Sequence, residues 1–432
     1  MNRMNWLGGA GIVVLCAGLS MAETYPMVEA KAGWDTLPAL TVRSGDWPWW
    51  RGPNRDNCVV SATPVPTEWS ETRNVKWKTA LPGEGHSTPI FIQDRIYLTS
   101  CDKTENVLWM LALERSSGRL LWKKELARGP WGKLHKDNNF ASATLACDGE
   151  RIFVPFQNPE TLGILATDLD GKIIWKQFIF NYGCAWGVST SPLLYKSAVI
   201  FPVEGSQGSC FVALNRATGA VIYRRPSLRK VKESYATPTV MTVNGRDQFV
   251  MAGGEAARGI DTMTGDLIWE CKGPADYNVA TPVMYSNIVY VTGGYPQRTF
   301  LAIRADGTGD VTDSARVLWK GDAKAGYVPS PVLVEGVIYA VNDKGLFRVY
   351  DALTGKIFWE HDLNAPFYSS PIWVNKQIYL FDRKGNGYVI PAATTKGTIT
   401  TNTLGSAVCA SPVALDGKLY VRTATELYCI AQ

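Results

Sequence analysis

The chain has 432 residues, 46% of them hydrophobic and 19% charged, with 44 Lys and Arg against 39 Asp and Glu and a formal net charge of +5. That balance excludes a disordered chain, and the scattered basic residues leave no electrostatic footprint for nucleic acid. Sixteen Trp, 18 Tyr and 40 Gly, set among Val, Ile and Leu runs broken by Asp-Gly and Thr-Gly pairs, predict an all-β chain with many tight turns.

Residues 1–22 read as a secretory leader. Arg3 supplies the positive charge, Leu7 to Leu19 the apolar core, and Ser20-Met21-Ala22 the small residues of a cleavage site after Ala22. Lipid attachment at Cys16 is disfavoured because Leu15 stands where a small residue is needed. No later segment is long and apolar enough to span a bilayer, so the mature chain is expected in the periplasm or otherwise exported. Residues 23–73 are too few for a separate core. Their Trp34, Trp47, Trp49, Trp50 and Trp69 predict a strap anchored on the outside of the main domain, with Arg51 and Arg55 bonding its carbonyls.

From residue 74 to residue 432 one unit repeats eight times. A turn followed by an apolar tetrad ending in an aromatic residue recurs at Ser117-Gly118 to Trp122, Asp170-Gly171 to Trp175, Thr218-Gly219 to Tyr223, Thr264-Gly265 to Trp269 and Thr354-Gly355 to Trp359. Trp319 ends a variant. A small residue then Pro opens a strand at Pro89, Pro192, Pro238, Pro282, Pro331, Pro371 and Pro412, with Thr144 in the equivalent place of the remaining unit, the second in chain order. Four antiparallel strands in 40 to 55 residues make a propeller blade, and the terminal Trp is read as a packing wedge between blades. The last unit stops one strand short at Gln432, and Asn74 to Lys78 has the right pattern to supply it. The fold class is therefore an eight-bladed β-propeller of four-stranded blades, its ring closed by the N- and C-terminal strands.

The Ala-x-Asp-x-x-Thr-Gly-x-x-x-Trp pattern, nearly complete from Tyr350 to Trp359, resembles the repeat of the pyrroloquinoline-quinone-like eight-bladed propellers, which include quinoprotein alcohol dehydrogenases and the outer-membrane assembly factor BamB. Trp47 to Arg55, Gly83 to Pro89 and Gly309 to Thr312 are similar to exported BamB-like proteins. The resemblance implies two functions. One is a non-catalytic propeller that binds or scaffolds a cell-envelope partner, protein or glycan. The other is a quinone-dependent alcohol or sugar dehydrogenase, with a carbohydrate-binding propeller as a further alternative. The dehydrogenases cap their quinone with a disulfide between adjacent Cys residues, and none of the nine Cys here are adjacent. No catalytic residue, metal or cofactor is therefore assigned, with pyrroloquinoline quinone and calcium kept as the alternative.

The oxygen-rich run Asp306 to Asp313 departs from a calcium loop, with Val311 where Gly is needed and Val317 where Glu is needed, and reads as a solvated turn. Eight Cys remain after the leader, widely spaced, and read as buried thiols or as disulfides. The loops leading into the innermost strands share one face around the central channel. Their His86, Asn139, Phe140, Trp186, Tyr235, Tyr277, Tyr327 and Tyr368 are the candidate ligand-binding residues, able either to stack a sugar, peptide or planar ring or to plug the funnel themselves. Residues 127–140, the longest insertion, are the candidate lid. Ring closure makes oligomerisation unnecessary, and a monomer is expected.

Overall fold

A computed structural model describes residues 25–30, 34–131, 134–183, 186–206, 208–226, 233–274 and 276–432. The leader read at residues 1–22 and Cys184 lie outside the described residues. Among those described there is no helix, and the strands form eight sheets around a central axis. Seven blades run in chain order through residues 90–128, 146–181, 193–226, 239–272, 283–320, 332–362 and 372–403. The eighth combines Val413–Leu415, Lys418–Arg422 and Glu426–Ile430 with Val75–Ala80 from the N-terminal side. There Val75 pairs with Ile430 and Ala80 with Glu426 in antiparallel register. The ring is thus closed by the two ends of the domain, which leaves no gap between first and last blades.

The innermost strand of each blade is short, three residues in most blades, because the blades converge toward the axis. The core lies between blades. Phe91 of blade 1, for example, packs at 4.4 Å on Tyr420 of blade 8. The Thr-Gly turn and the Trp belong to one device. Gly118 has φ 72°, and a Cβ there would sit 2.4 Å from the ring of Trp77, the outermost-strand Trp of the preceding blade. Glycine both permits the left-handed turn and lets the neighbouring indole lie flat on the backbone. The wedge indoles also donate across the interface, from Trp175 Nε1 to Arg216 O at 3.2 Å and from Trp319 Nε1 to Ala352 O at 2.8 Å.

Two interfaces lack that indole, since blade 3 ends on Tyr223 and the outermost strand of blade 7, Thr400–Thr403, has no aromatic residue. The N-terminal strap packs against both. Trp34 lies 5.6 Å from Tyr223, and Trp69 lies on Tyr379 and Phe381 with its backbone N–H on Asn402 Oδ1. Between these anchors the strap departs from the expected outer position. Asp46 to Val59 crosses the end of the channel where the first and second strands of the blades turn. It bonds to blade 1 (Trp47 to Phe91), blade 2 (Cys147 N to Pro48 O), blade 3 (Arg55 to Leu194 O), blade 6 (Arg51 to Pro331 O) and blade 7, where Cys58–Val59 runs parallel to Ile372–Val374. Buried arginines and indoles suit this place because blade carbonyls converge on it.

The run Asp306 to Asp313 holds no cation loop. Gly309–Asp310 forms a short strand on the outer edge of blade 4, Asp306 is paired with Arg304 and Arg316, and Asp310 with Lys272. The seven Cys among the described residues are free thiols.

Candidate functional site

Each blade contributes one hydroxyl to a girdle around the axis: Thr88, Thr144, Ser191, Thr237, Thr281, Ser330, Ser370 and Ser411. Six links have the same sense, the backbone N–H of one blade donating to the hydroxyl of the next. They are Thr88 to Thr144 (3.1 Å), Thr144 to Ser191 (3.0 Å), Ser191 to Thr237 (3.0 Å), Thr281 to Ser330 (2.9 Å), Ser330 to Ser370 (3.0 Å) and Ser370 to Ser411 (3.0 Å). The blade 8 to blade 1 link is reversed, with Thr88 Oγ1 donating to Ser411 O at 3.3 Å. Between blades 4 and 5 the strap intervenes, and Trp50 Nε1 donates to Thr281 Oγ1 at 2.8 Å.

Thr144 therefore does not hold the place of the strand-opening Pro. It is the girdle hydroxyl, and Leu145 stands where the other units have Pro. This unit's innermost strand is only Ala146–Cys147, so its sequence mark is the weakest of the eight.

Above the girdle lies a cavity of about 180 Å³, with Trp50 in its lining on the strap side. The strap closes one end of the channel, so the cavity faces the side that carries the inter-blade loops. Its rim includes His86, Trp186, Tyr235, Tyr327, Tyr368 and Cys409, together with His135, Asp137 and Asn138 from the long insertion. Five of the eight residues singled out in the sequence thus meet here. Asn139 is buried behind the wall, with its Oδ1 accepting the Ala141 N–H. Phe140 stacks on Trp131 at 4.9 Å, and Tyr277 pairs with Tyr295 in an isolated bridge. The girdle and Trp50 escaped sequence reasoning, although a Ser or Thr before every strand-opening Pro was a visible signal.

The described part of the insertion is fastened on two sides. On one side the His135 ring stacks on Trp186 at 4.0 Å, and Asn138 Nδ2 donates to Trp186 O at 2.5 Å. On the other side Asp137 Oδ1 accepts from Arg383 Nη2 at 2.9 Å, and the Arg383 guanidinium lies 4.1 Å over the Tyr368 ring. The insertion thus joins the loop entering blade 3 to the loop between second and third strands of blade 7.

Charge at the rim is mostly committed. The Arg383 hydrogen bond holds Asp137 below the usual carboxylate range. Burial, reinforced by Arg422, Arg383 and Lys103, depresses His86 to about 4, so its imidazole is neutral at physiological pH. Burial raises the Tyr327 and Tyr368 phenols and the Cys409 thiol, which leaves all three protonated. The arrangement can stack a ring and hydrogen-bond it. It holds no free carboxylate base and no thiolate nucleophile among the described residues.

A metal-bound quinone would need several oxygen ligands. Asp137 is the only carboxylate in the lining and is engaged by Arg383. Among the described residues no group of three His, Cys, Asp or Glu could hold a metal ion. The lining does not fit that cofactor pair.

These features define the chain as an eight-bladed β-propeller with an axial pocket closed at one end by its own N-terminal strap. Residues 52–182, 160–314 and 307–399 match the family described as outer membrane protein assembly factor BamB, and the chain belongs to that family. No curated protein sequence matches it. Among solved structures it is similar to BamB from Moraxella catarrhalis (15% identity, TM-score 0.58, covering 82% of this chain and 97% of that one). It is also similar to the quinohemoprotein alcohol dehydrogenase from Comamonas testosteroni (12% identity, TM-score 0.66, 90% and 80%) and to a europium-containing methanol dehydrogenase (13% identity, TM-score 0.53, 90% and 98%). At these identities the likeness is one of fold.

Proposed function

We propose that the protein is an exported, non-catalytic propeller that binds a partner in the cell envelope, protein or glycan, through the rim of the axial pocket. The observation that carries this reading is the pocket's chemistry. Aromatic rings and hydroxyls surround a cavity whose one carboxylate is tied to Arg383, a composition suited to stacking and hydrogen bonding and poor in groups for proton or electron transfer. Membership of a family described by outer membrane assembly supports an envelope setting, and the leader-like residues 1–22 support export. No helix among the described residues is long and apolar enough to cross a membrane.

The test is site-specific photo-crosslinking in intact cells. A probe at Tyr327 or Tyr368 on the rim is expected to give a discrete adduct with an envelope component, while a probe at exposed Asp94 on the strap-bearing face gives none. Equal labelling from both faces, or none from the rim, would overturn the assignment.

A further inference from the structure

The gap in the hydroxyl girdle coincides with a second, much smaller cavity. It measures about 10 Å³ and is lined by Trp49, Trp50, Arg51, Arg55, Thr237 and Thr281, among others. Trp50, whose Nε1 donates to Thr281 Oγ1, lines both this cavity and the axial pocket. The space suffices for one water or one monatomic ion.

The charges around it do not balance. Arg51 is 1% exposed. Its Nη2 donates to Asp56 O at 2.9 Å and Pro331 O at 2.8 Å, its Nε donates to Arg55 O at 3.2 Å, and its buried Nη1 has no hydrogen-bond partner. Arg55 donates through Nη2 to Leu194 O and lies 4.4 Å over the Trp49 ring. All of these acceptors are neutral. Among the described residues, no carboxylate forms an ion pair with either guanidinium. The adjacent Asp56 uses Oδ1 to accept the Cys58 N–H, and burial raises its pKa. The Cys58 thiol is pushed up to about 12 by burial, so it supplies no negative charge. Burial lowers both arginines to about 10, which still leaves two cations in an apolar hub with at most one nearby anion. A buried, unpaired guanidinium N–H is costly, and a small anion that accepts from it removes both the charge imbalance and the missing hydrogen bond.

We propose that this cavity is a structural binding site for a single monatomic anion of the halide class, held by Arg51 Nη1 with Arg55 and the Thr237 region and sealed beneath Trp50. The ion locks the strap into the hub of the propeller. The site lies on the strap side of the axial pocket and shares Trp50 and Thr237 with its lining.

The experiment has two arms on the full mature protein. Thermal melts in chloride and bromide are compared with gluconate at equal ionic strength, and crystals grown with bromide are measured at the bromine edge. Expected is a saturable rise of several degrees in melting temperature with either halide and one anomalous peak within contact of Arg51 and Arg55. Arg51→Met is expected to lose the halide dependence. Should that variant fail to fold, Arg55→Gln, which keeps Arg51, is expected to weaken halide affinity at least tenfold. Melting temperatures that are the same in gluconate and halide, with no anomalous peak and a single water in the cavity, would overturn the proposal.

Discussion

Trp50 Nε1 donates to Thr281 Oγ1 at 2.8 Å across 231 residues of sequence, at the junction of blades 4 and 5, where a strap residue takes the place of the inter-blade link. A residue of the N-terminal strap thereby becomes part of the propeller's hub and lines the axial pocket. Trp50→Ala removes both the ring and the donor, and about 3–5 kcal/mol of stability should be lost by denaturant melting. Trp50→Phe keeps most of the packing and should cost about 1 kcal/mol beyond the lost ring atoms. Equal stability of the alanine variant and the wild type would mean that the strap does not seal the channel.

The girdle makes a second prediction. Ser370 Oγ accepts the N–H of Ser330 at 3.0 Å, and both residues are buried. Ser370→Ala leaves that N–H without a partner and should destabilise by about 1–3 kcal/mol. Ser→Ala at exposed Ser117 should change little. Chemical denaturation of the two variants side by side checks the difference.

His86 gives a pH signature. Its folded-state pKa, about 4, lies below the unfolded value of 6.5, so between those values the unfolded chain binds the extra proton. Stability therefore rises with pH through that window and is lost as pH falls from 6.5 toward 4, by about 3 kcal/mol in all. His86→Phe should flatten the stability profile over this range. A variant with the same slope as wild type would assign the effect to other groups.

Closure of the ring rests on five paired residues between Val75–Ala80 and Glu426–Ile430. Deleting residues 426–432 unpairs both neighbours of that strand and strips Tyr428 and Ile430 from the core between blades 7, 8 and 1. Such a truncation should lose cooperative unfolding in calorimetry and aggregate, whereas deletion of residue 432 alone should be silent.

The fold was largely legible because each blade repeats the same local chemistry. The Thr-Gly turn needs a glycine that leaves room for the neighbouring indole, and seven strand-opening prolines survive as marks. Blade closure was legible from one surplus strand pattern at the N-terminus and one missing at the C-terminus. Pocket residues were readable only where a rim position carries a large aromatic ring or a His, as at Trp186 and Tyr327. Asn139, Phe140 and Tyr277 are not among the residues that line the cavity: Asn139 is buried, Phe140 stacks on Trp131 and Tyr277 pairs with Tyr295. The strap's place at the hub is not legible because Trp50 and Arg51 bond to residues 231 and 280 positions away, and nothing local marks Trp50 as a hub residue and Trp69 as a wedge. Blades 3 and 7 did hint at the wedges, since each lacks the Trp that the strap brings alongside.

On the proposed function, the axial pocket binds its partner without quinone chemistry. The most direct test is a titration of the mature protein with pyrroloquinoline quinone and calcium, followed by quinone absorbance and melting temperature. A ligand of the native state at 100 times its dissociation constant adds about 2.7 kcal/mol, well within detection. No saturable absorbance change and no shift in melting are expected. A stoichiometric complex that raises the melting temperature, and loses that rise in Trp186→Ala, would contradict it and make the protein a quinone-dependent enzyme.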